Sequence, residues 1–212
     1  FPALSPAEEL TKDSIQKLLN DEQFKKLDVA AEEIRKSRKM LDDGGSTLSQ
    51  FYNQLTENFN NEKEIKRLIN LFEKWRKAYP NSPTPVIALS ILYTDYAFIA
   101  RGTGWGKTIT DEQWELFYER MNKSYEYANS KIAERDMRSY VEKIRSIKLI
   151  GGKDAKRKAY AALDKGIEID PDYHSMYFAM GELLMDRWHG DDRDETISFI
   201  EKYSAKRKGL EG

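Results

Sequence analysis

The sequence predicts an all-α chain, and three observations carry that prediction. Apolar residues recur at three- and four-residue spacings in one segment after another, the period of a helix face. Only 6 prolines and 12 glycines punctuate 212 residues, and 40% hydrophobic residues are balanced by 33% charged ones, as in a helical globular chain with solvated outer faces. No segment reads as a convincing strand.

The elements follow in order. Ser5 with Pro6, Ala7, Glu8 and Glu9 reads as a helix start, a hydroxyl cap followed by a first-turn proline and acids at the positive end of the dipole. Leu10, Ile15, Leu18 and Leu19 supply its buried face. A second helix shows Phe24, Leu27, Ala31, Ile34 and Leu41 on one stripe and is ended by Gly44 and Gly45. Leu48, Phe51, Tyr52, Leu55 and Phe59 make a third face; Ile65, Leu68, Ile69, Phe72, Trp75 and Tyr79 make a fourth. Pro80, Pro83 and Pro85 then break the chain. From Val86 to Arg101 the sequence is apolar nearly all round, as expected of a central helix with neighbours on both sides.

After a glycine-rich loop at 102–106, Thr110 caps a long helix with Trp114, Phe117, Met121, Tyr125, Ala128 and Ile132 on its main face and Leu116 and Tyr127 near the opposite one. Further helices are marked by Tyr140, Ile144 and Ile147, by Tyr160, Leu163 and Ile167, by Tyr173, Tyr177, Met180 and Leu184, and by Ile197, Ile200 and Tyr203. The expectation is about nine helices in one cooperative unit spanning 1–212.

Ala159, Ala162, Leu163, Gly166 and Ile167, then Asp170-Pro171, then Tyr173, Tyr177, Ala179 and Gly181 resemble the end of one tetratricopeptide repeat (TPR) and the start of the next. In that motif small residues let two helices approach closely, and an Asp-Pro pair ends one helix and starts its successor. Phe72, Trp75, Tyr79, Pro80, Ala88, Leu89 and Tyr93 are a looser echo. No strict 34-residue period runs through the chain. The expected architecture is therefore an irregular TPR-like stack of antiparallel helix pairs, curved to give a concave binding surface.

The chain also resembles a bacterial family known as domain of unknown function 4034. The resemblance rests on Ala100-Arg101-Gly102-Thr103-Gly104-Trp105 followed by Trp114 and Phe117, and on Asp170-Pro171-Asp172-Tyr173 leading through Tyr177-Phe178 to Arg187-Trp188-His189-Gly190. Phe24-Lys25-Lys26-Leu27-Asp28, Ser37-Arg38, Gly44-Gly45 and Phe51-Tyr52 fit its opening pattern. Met185-Asp186 departs from it, where a proline is expected before the Arg-Trp pair. The resemblance implies an α-helical repeat fold and no catalytic residues.

Composition excludes some chemistry. With no cysteine there are no disulfides, cysteine nucleophiles or thiolate metal sites. Thirty-five Lys and Arg against 36 Asp and Glu leave a formal charge of −1 and no global field for a polyanion. The stretch from Lys131 to Lys165 holds 11 basic and 5 acidic residues, but no nucleic-acid motif accompanies it, so nucleic acid is not an expected partner. Ile87 to Ala100, interrupted by Tyr93 and Asp95, reads as too short to span a membrane. A start at Phe1 rather than methionine fits an exported or periplasmic chain that has lost a signal peptide, or a trimmed chain that is otherwise cytoplasmic.

Motifs that resemble catalytic ones lack their context. Gly102 to Thr108 echoes a phosphate-binding loop, yet Arg101 stands where that loop needs glycine, and the segment follows a helix rather than a strand. His189 lies among Asp186, Asp191, Asp192, Asp194 and Glu195, but the spacing matches no metal motif, and the loop reads as a solvated turn with helix-capping acids. No nucleophile elbow is present. The expectation is a non-catalytic scaffold, without cofactor or metal, that holds a protein or peptide in a concave groove. Tyr93, Tyr96, Arg101, Trp105 and Tyr127 are its candidate contact residues. The alternative is an enzyme or small-molecule binder using a pocket near the 101–108 loop, with Arg101, Trp105 and Trp114.

Overall fold

Side-chain caps set where several helices begin. In the computed structural model, which describes residues 10–42, 44–57, 61–102, 104 and 108–204, the Thr11 side chain starts α1 (Lys12–Asn20) by accepting the Ser14 amide. Ser46 caps α3 (Thr47–Leu55), Asn61 caps α4 (Glu62–Ala78) and Ser82 caps α5 (Pro83–Arg101) in the same way. α6 (Asp111–Ala128) opens with a full capping box: the Gln113 amide donates to the Thr110 hydroxyl, and the Thr110 amide donates to the Gln113 side chain. The others are α2 (Phe24–Ser37), α7 (Arg138–Ile150), α8 (Ala155–Ile169), α9 (Ser175–Leu183) and α10 (Arg193–Ser204), with a 3₁₀ turn at Ala133–Arg135. The described residues thus form an all-α stack of ten α-helices packed on their neighbours, one more than expected, with a single isolated bridge between Met40 and Ser46.

Several boundaries differ from the sequence reading, each for a local reason. The Ser5 to Glu9 start lies outside the described residues, and the first described helix begins at Lys12. α2 stops at Ser37 because Arg38 takes the left-handed conformation (φ 48°), through which a helix does not continue, so Leu41 is not on its face. Phe59 is outside the described residues. α6 ends at Ala128, leaving Ile132 in the connection. Asp170-Pro171 sits between α8 and α9 rather than in the first turn of α9.

Pro83 and Pro85 start a helix rather than break one. They occupy the first turn of α5, where a missing N–H leaves no intrahelical bond unmade. This start lengthens α5 to 19 residues. By length and composition alone it is long and apolar enough to cross a membrane, contrary to the sequence expectation, and 56% of its most apolar window is buried inside the fold.

α5 and α7 are the central elements. α4, α6 and α7 pack on α5, while α5, α6, α8 and α9 pack on α7. Where α5, α6 and α7 meet, small hydroxyl residues permit close approach and satisfy one another. Ser124 Oγ lies 3.1 Å from Ser90 Oγ, 3.1 Å from Ser146 Oγ and 2.9 Å from Thr94 Oγ1. Gly166 of α8 serves a similar end, since a Cβ there would lie 2.2 Å from Met176 Sδ. Gly181 faces open space, so no close approach depends on it. One contiguous apolar cluster runs from Ile15 in α1 to Phe199 in α10; Ala97, Phe117 and Met121 form a smaller one between α5 and α6.

Candidate functional site

The C-terminal half of α5, the first turns of α6 and the last turns of α7 enclose a cleft of about 630 Å³. Spacings of three and four place Thr94, Phe98 and Arg101 on one face of α5 and Trp114, Phe117 and Tyr118 on one face of α6. Arg145, Lys148 and Leu149 do the same on α7, and Glu182 of α9 and Trp188 of the α9–α10 connection close the far wall. Gln113 clamps the corner: its side-chain nitrogen donates to the Ala100 carbonyl at 3.1 Å, satisfying an orphan carbonyl at the end of α5.

The rings interlock at the floor and stand open at the rim. Phe117 is buried and lies edge-on to Phe98 and Trp114 at 5.6 and 5.5 Å, while Trp114 stacks on Tyr118 at 5.7 Å. Phe98, Tyr118 and Trp188 remain 43%, 41% and 39% exposed. Exposed rings gathered in a concavity are the pattern of a binding surface, since isolated apolar residues on a surface need no such clustering.

Charge lines the same walls. The Arg101 guanidinium sits 5.5 Å from the Trp114 ring centre, and the Lys148 ammonium 5.1 Å from that of Trp188. Lys148 pairs with Glu182 at 2.6 Å, and Arg145 pairs with Glu142 at 3.3 Å. Glu142 is buried and also accepts from Arg138 Nε at 2.6 Å. Beside this group, burial and then the Glu142 charge raise the Asp95 carboxyl to about 6, with Arg145 opposing them in part.

The predicted contact residues divide between two places. Arg101 is in the cleft. Tyr93, Tyr96 and Tyr127 instead form a cluster among α4, α5 and α6, with Tyr93 stacked on Tyr127 at 5.6 Å. Tyr127 donates to Glu73, and Tyr96 donates to Glu62 at 3.1 Å and lies under the Arg120 guanidinium. Burial, then the Glu73 contact, holds the Tyr127 phenol well above its ordinary range. These tyrosines tie helices together through satisfied contacts. Trp105 lies outside the described residues.

No family model, curated protein or solved structure matches this chain.

A second cleft, of about 810 Å³, lies between the α2–α3 and α8–α9 connections. Its charged walls are largely paired: Arg35 with Asp136, Glu134 with Lys143 and Arg38 with Asp170. The acidic loop after α9 also has structural uses. Asp192 accepts the Glu195 amide at the start of α10, as expected of a capping acid, but His189 turns inward, its Nε2 2.9 Å from the Lys148 carbonyl. Among the described residues no three His, Cys, Asp or Glu side chains are grouped to hold a metal ion. The basic stretch of 131–165 is offset by acids from beyond it, Glu182, Asp191 and Glu195.

Sequence reasoning missed Phe98, Tyr118, Arg145 and Lys148 as wall residues. On an all-round apolar α5, Phe98 carries no mark of its own. Arg145 and Lys148, three apart in the basic stretch, are a signal that becomes specific only once α7 is known to border α5 and α6.

Proposed function

We propose that this chain is a non-catalytic helical module that holds a protein or peptide segment in the α5–α6–α7 cleft. One observation carries the reading: three of the four exposed aromatic residues among those described, Phe98, Tyr118 and Trp188, gather around one concavity, while the fourth, Phe178, lies outside it. The succession of helices packed on their neighbours is compatible with a TPR-like scaffold, which this proposal takes the chain to be. Panning a displayed peptide library against the chain and against Trp114→Ala and Trp188→Ala variants tests it. Enrichment of related sequences by the native chain and their loss with the variants is the expected result; equal enrichment by all of them would reject the cleft as the site.

The cleft volume favours a second reading, a small-molecule binder, since about 630 Å³ lies within the range of ligand pockets. Thermal-shift screening of small uncharged aromatic compounds beside the enriched peptides, against the chain and the Trp114→Ala variant, separates the readings: a small-molecule binder is stabilised by one of the compounds more than by any peptide, and a peptide module by the peptides more.

A further inference from the structure

The geometry points to a partner segment that carries a carboxylate beside a bulky apolar side chain, with Arg101 reading the carboxylate; this deepens the peptide-holding reading and rests on it. The three cations of the cleft are not equivalent. Lys148 and Arg145 already have carboxylates, Glu182 at 2.6 Å and Glu142 at 3.3 Å. Arg101 has none within ion-pair distance among the described residues. Its Nη1 donates to the Gly102 carbonyl at 3.3 Å, and the guanidinium stays beside the Trp114 ring.

Such a guanidinium keeps most of its five donors for a ligand, and its planar fork suits a carboxylate held bidentately. The aromatic neighbour orients it at little entropic cost. A carboxylate on Arg101 brings the adjoining residues of the same segment over Trp114, Tyr118 and Phe98, and the apolar side chain fills the space in front of Trp188.

Charge decides between this occupant and a single-stranded nucleic acid, which also stacks on aromatic rings. A polynucleotide carries a phosphate at every residue and is bound by a row of cations that track it. Here two of the three cleft cations already have a carboxylate partner, Arg145 sharing its own with Arg138, and the whole chain has a formal charge of −1. A segment with one or two carboxylates among apolar residues matches what is left.

The test is calorimetric titration of the full chain with short peptides that share the same aromatic and aliphatic residues and differ only in acidic, neutral or basic flanks. The acidic peptide is expected to bind on the order of tenfold more tightly than the neutral one at low salt, and the basic one most weakly. That advantage shrinks as sodium chloride screens the charges. It disappears in R101Q and reverses in R101E. The salt titration uses the unaltered chain, so the proposal stays exposed to disproof even where a variant does not fold. Equal binding of acidic and neutral peptides, unmoved by R101Q or salt, overturns the acidic partner and leaves the peptide-holding reading intact. Failure of every peptide overturns both, and tighter, Arg101-dependent binding of a single-stranded oligonucleotide puts nucleic acid in the peptide's place.

Discussion

Asp95 sits in a place its side chain disfavours. It is half-buried on α5, has no hydrogen-bond partner among the described residues and faces the buried Glu142 of α7, with Arg145 the opposing cation. Burial and the Glu142 charge raise its carboxyl to about 6 from 3.8. Because the folded value lies above the unfolded one, the folded chain holds the proton more tightly between them, and stability falls as pH rises from about 4 to about 6. Asp95→Asn removes the charged form altogether. It is expected to raise the unfolding free energy at neutral pH by on the order of 2 kcal/mol and to flatten the acid side of the profile. Urea unfolding of both chains across that range checks this; parallel profiles would show that Asp95 does not carry the dependence. In the sequence Asp95 appears only as an interruption of an apolar run. Which charges face it depends on α7 lying beside α5, a contact between distant segments that no local pattern encodes.

The α9–α10 connection shows how an element places a wall of the cleft. Its backbone folds back on the end of α9: the His189 amide donates to the Leu183 carbonyl at 3.1 Å and the Gly190 amide to the Met185 carbonyl at 3.2 Å. At Gly190 a Cβ would lie 1.9 Å from the Leu184 oxygen, so any side chain must displace backbone. The His189 ring ties the loop to the Lys148 carbonyl at the end of α7, which keeps Trp188 over Lys148. Gly190→Ala is therefore expected to cost about 2 kcal/mol and to weaken cleft binding, with helix content by circular dichroism unchanged. His189→Ala, which removes only the tie, should weaken binding with a smaller drop in melting temperature. Retained affinity in both variants would remove Trp188 from the site. The Thr110 cap was legible because a cap and its helix are adjacent in sequence, whereas Ser82 was obscured by the prolines that follow it. His189 reaches back 41 residues, so its acidic neighbours were informative about capping and its own partner was not.

At the scale of the molecule, α1, α2 and α3 pack mainly on one another, and side chains join them to the rest. Phe24 stacks on Trp75 at 5.2 Å, and Ser49 lies 2.7 Å from the Tyr173 hydroxyl. The strongest joint is Asp136, buried at the start of α7. It accepts from Arg35 of α2 at 2.9 Å, from the Tyr52 hydroxyl of α3 at 2.7 Å and from the Arg138 amide at 2.9 Å. Arg35 also donates to Thr84 in the first turn of α5 at 3.2 Å, so four helices meet in one network. Removing one partner of such a pair strands the other charge in a desolvated site, at about 3–5 kcal/mol. A typical domain has only about 5–15 kcal/mol of stability in total. Asp136→Ala is thus expected to lower stability by that amount, and Asp136→Asn, which keeps an acceptor but not the charge, by less. The loss should be uneven: hydrogen exchange speeds first in α1–α3, because the joint they lose is their main polar tie, while α5 and α7 keep the neighbours that bury them. Replacing Arg35 and Asp136 together by apolar residues of similar size should recover part of the loss, since neither then leaves a buried charge unpaired, while the Tyr52 hydroxyl and the Arg138 amide still lose their acceptor. If the double replacement is as unstable as Asp136→Ala, or if exchange rises equally in all helices, the network holds the stack by packing alone and the ion pair is not the joint.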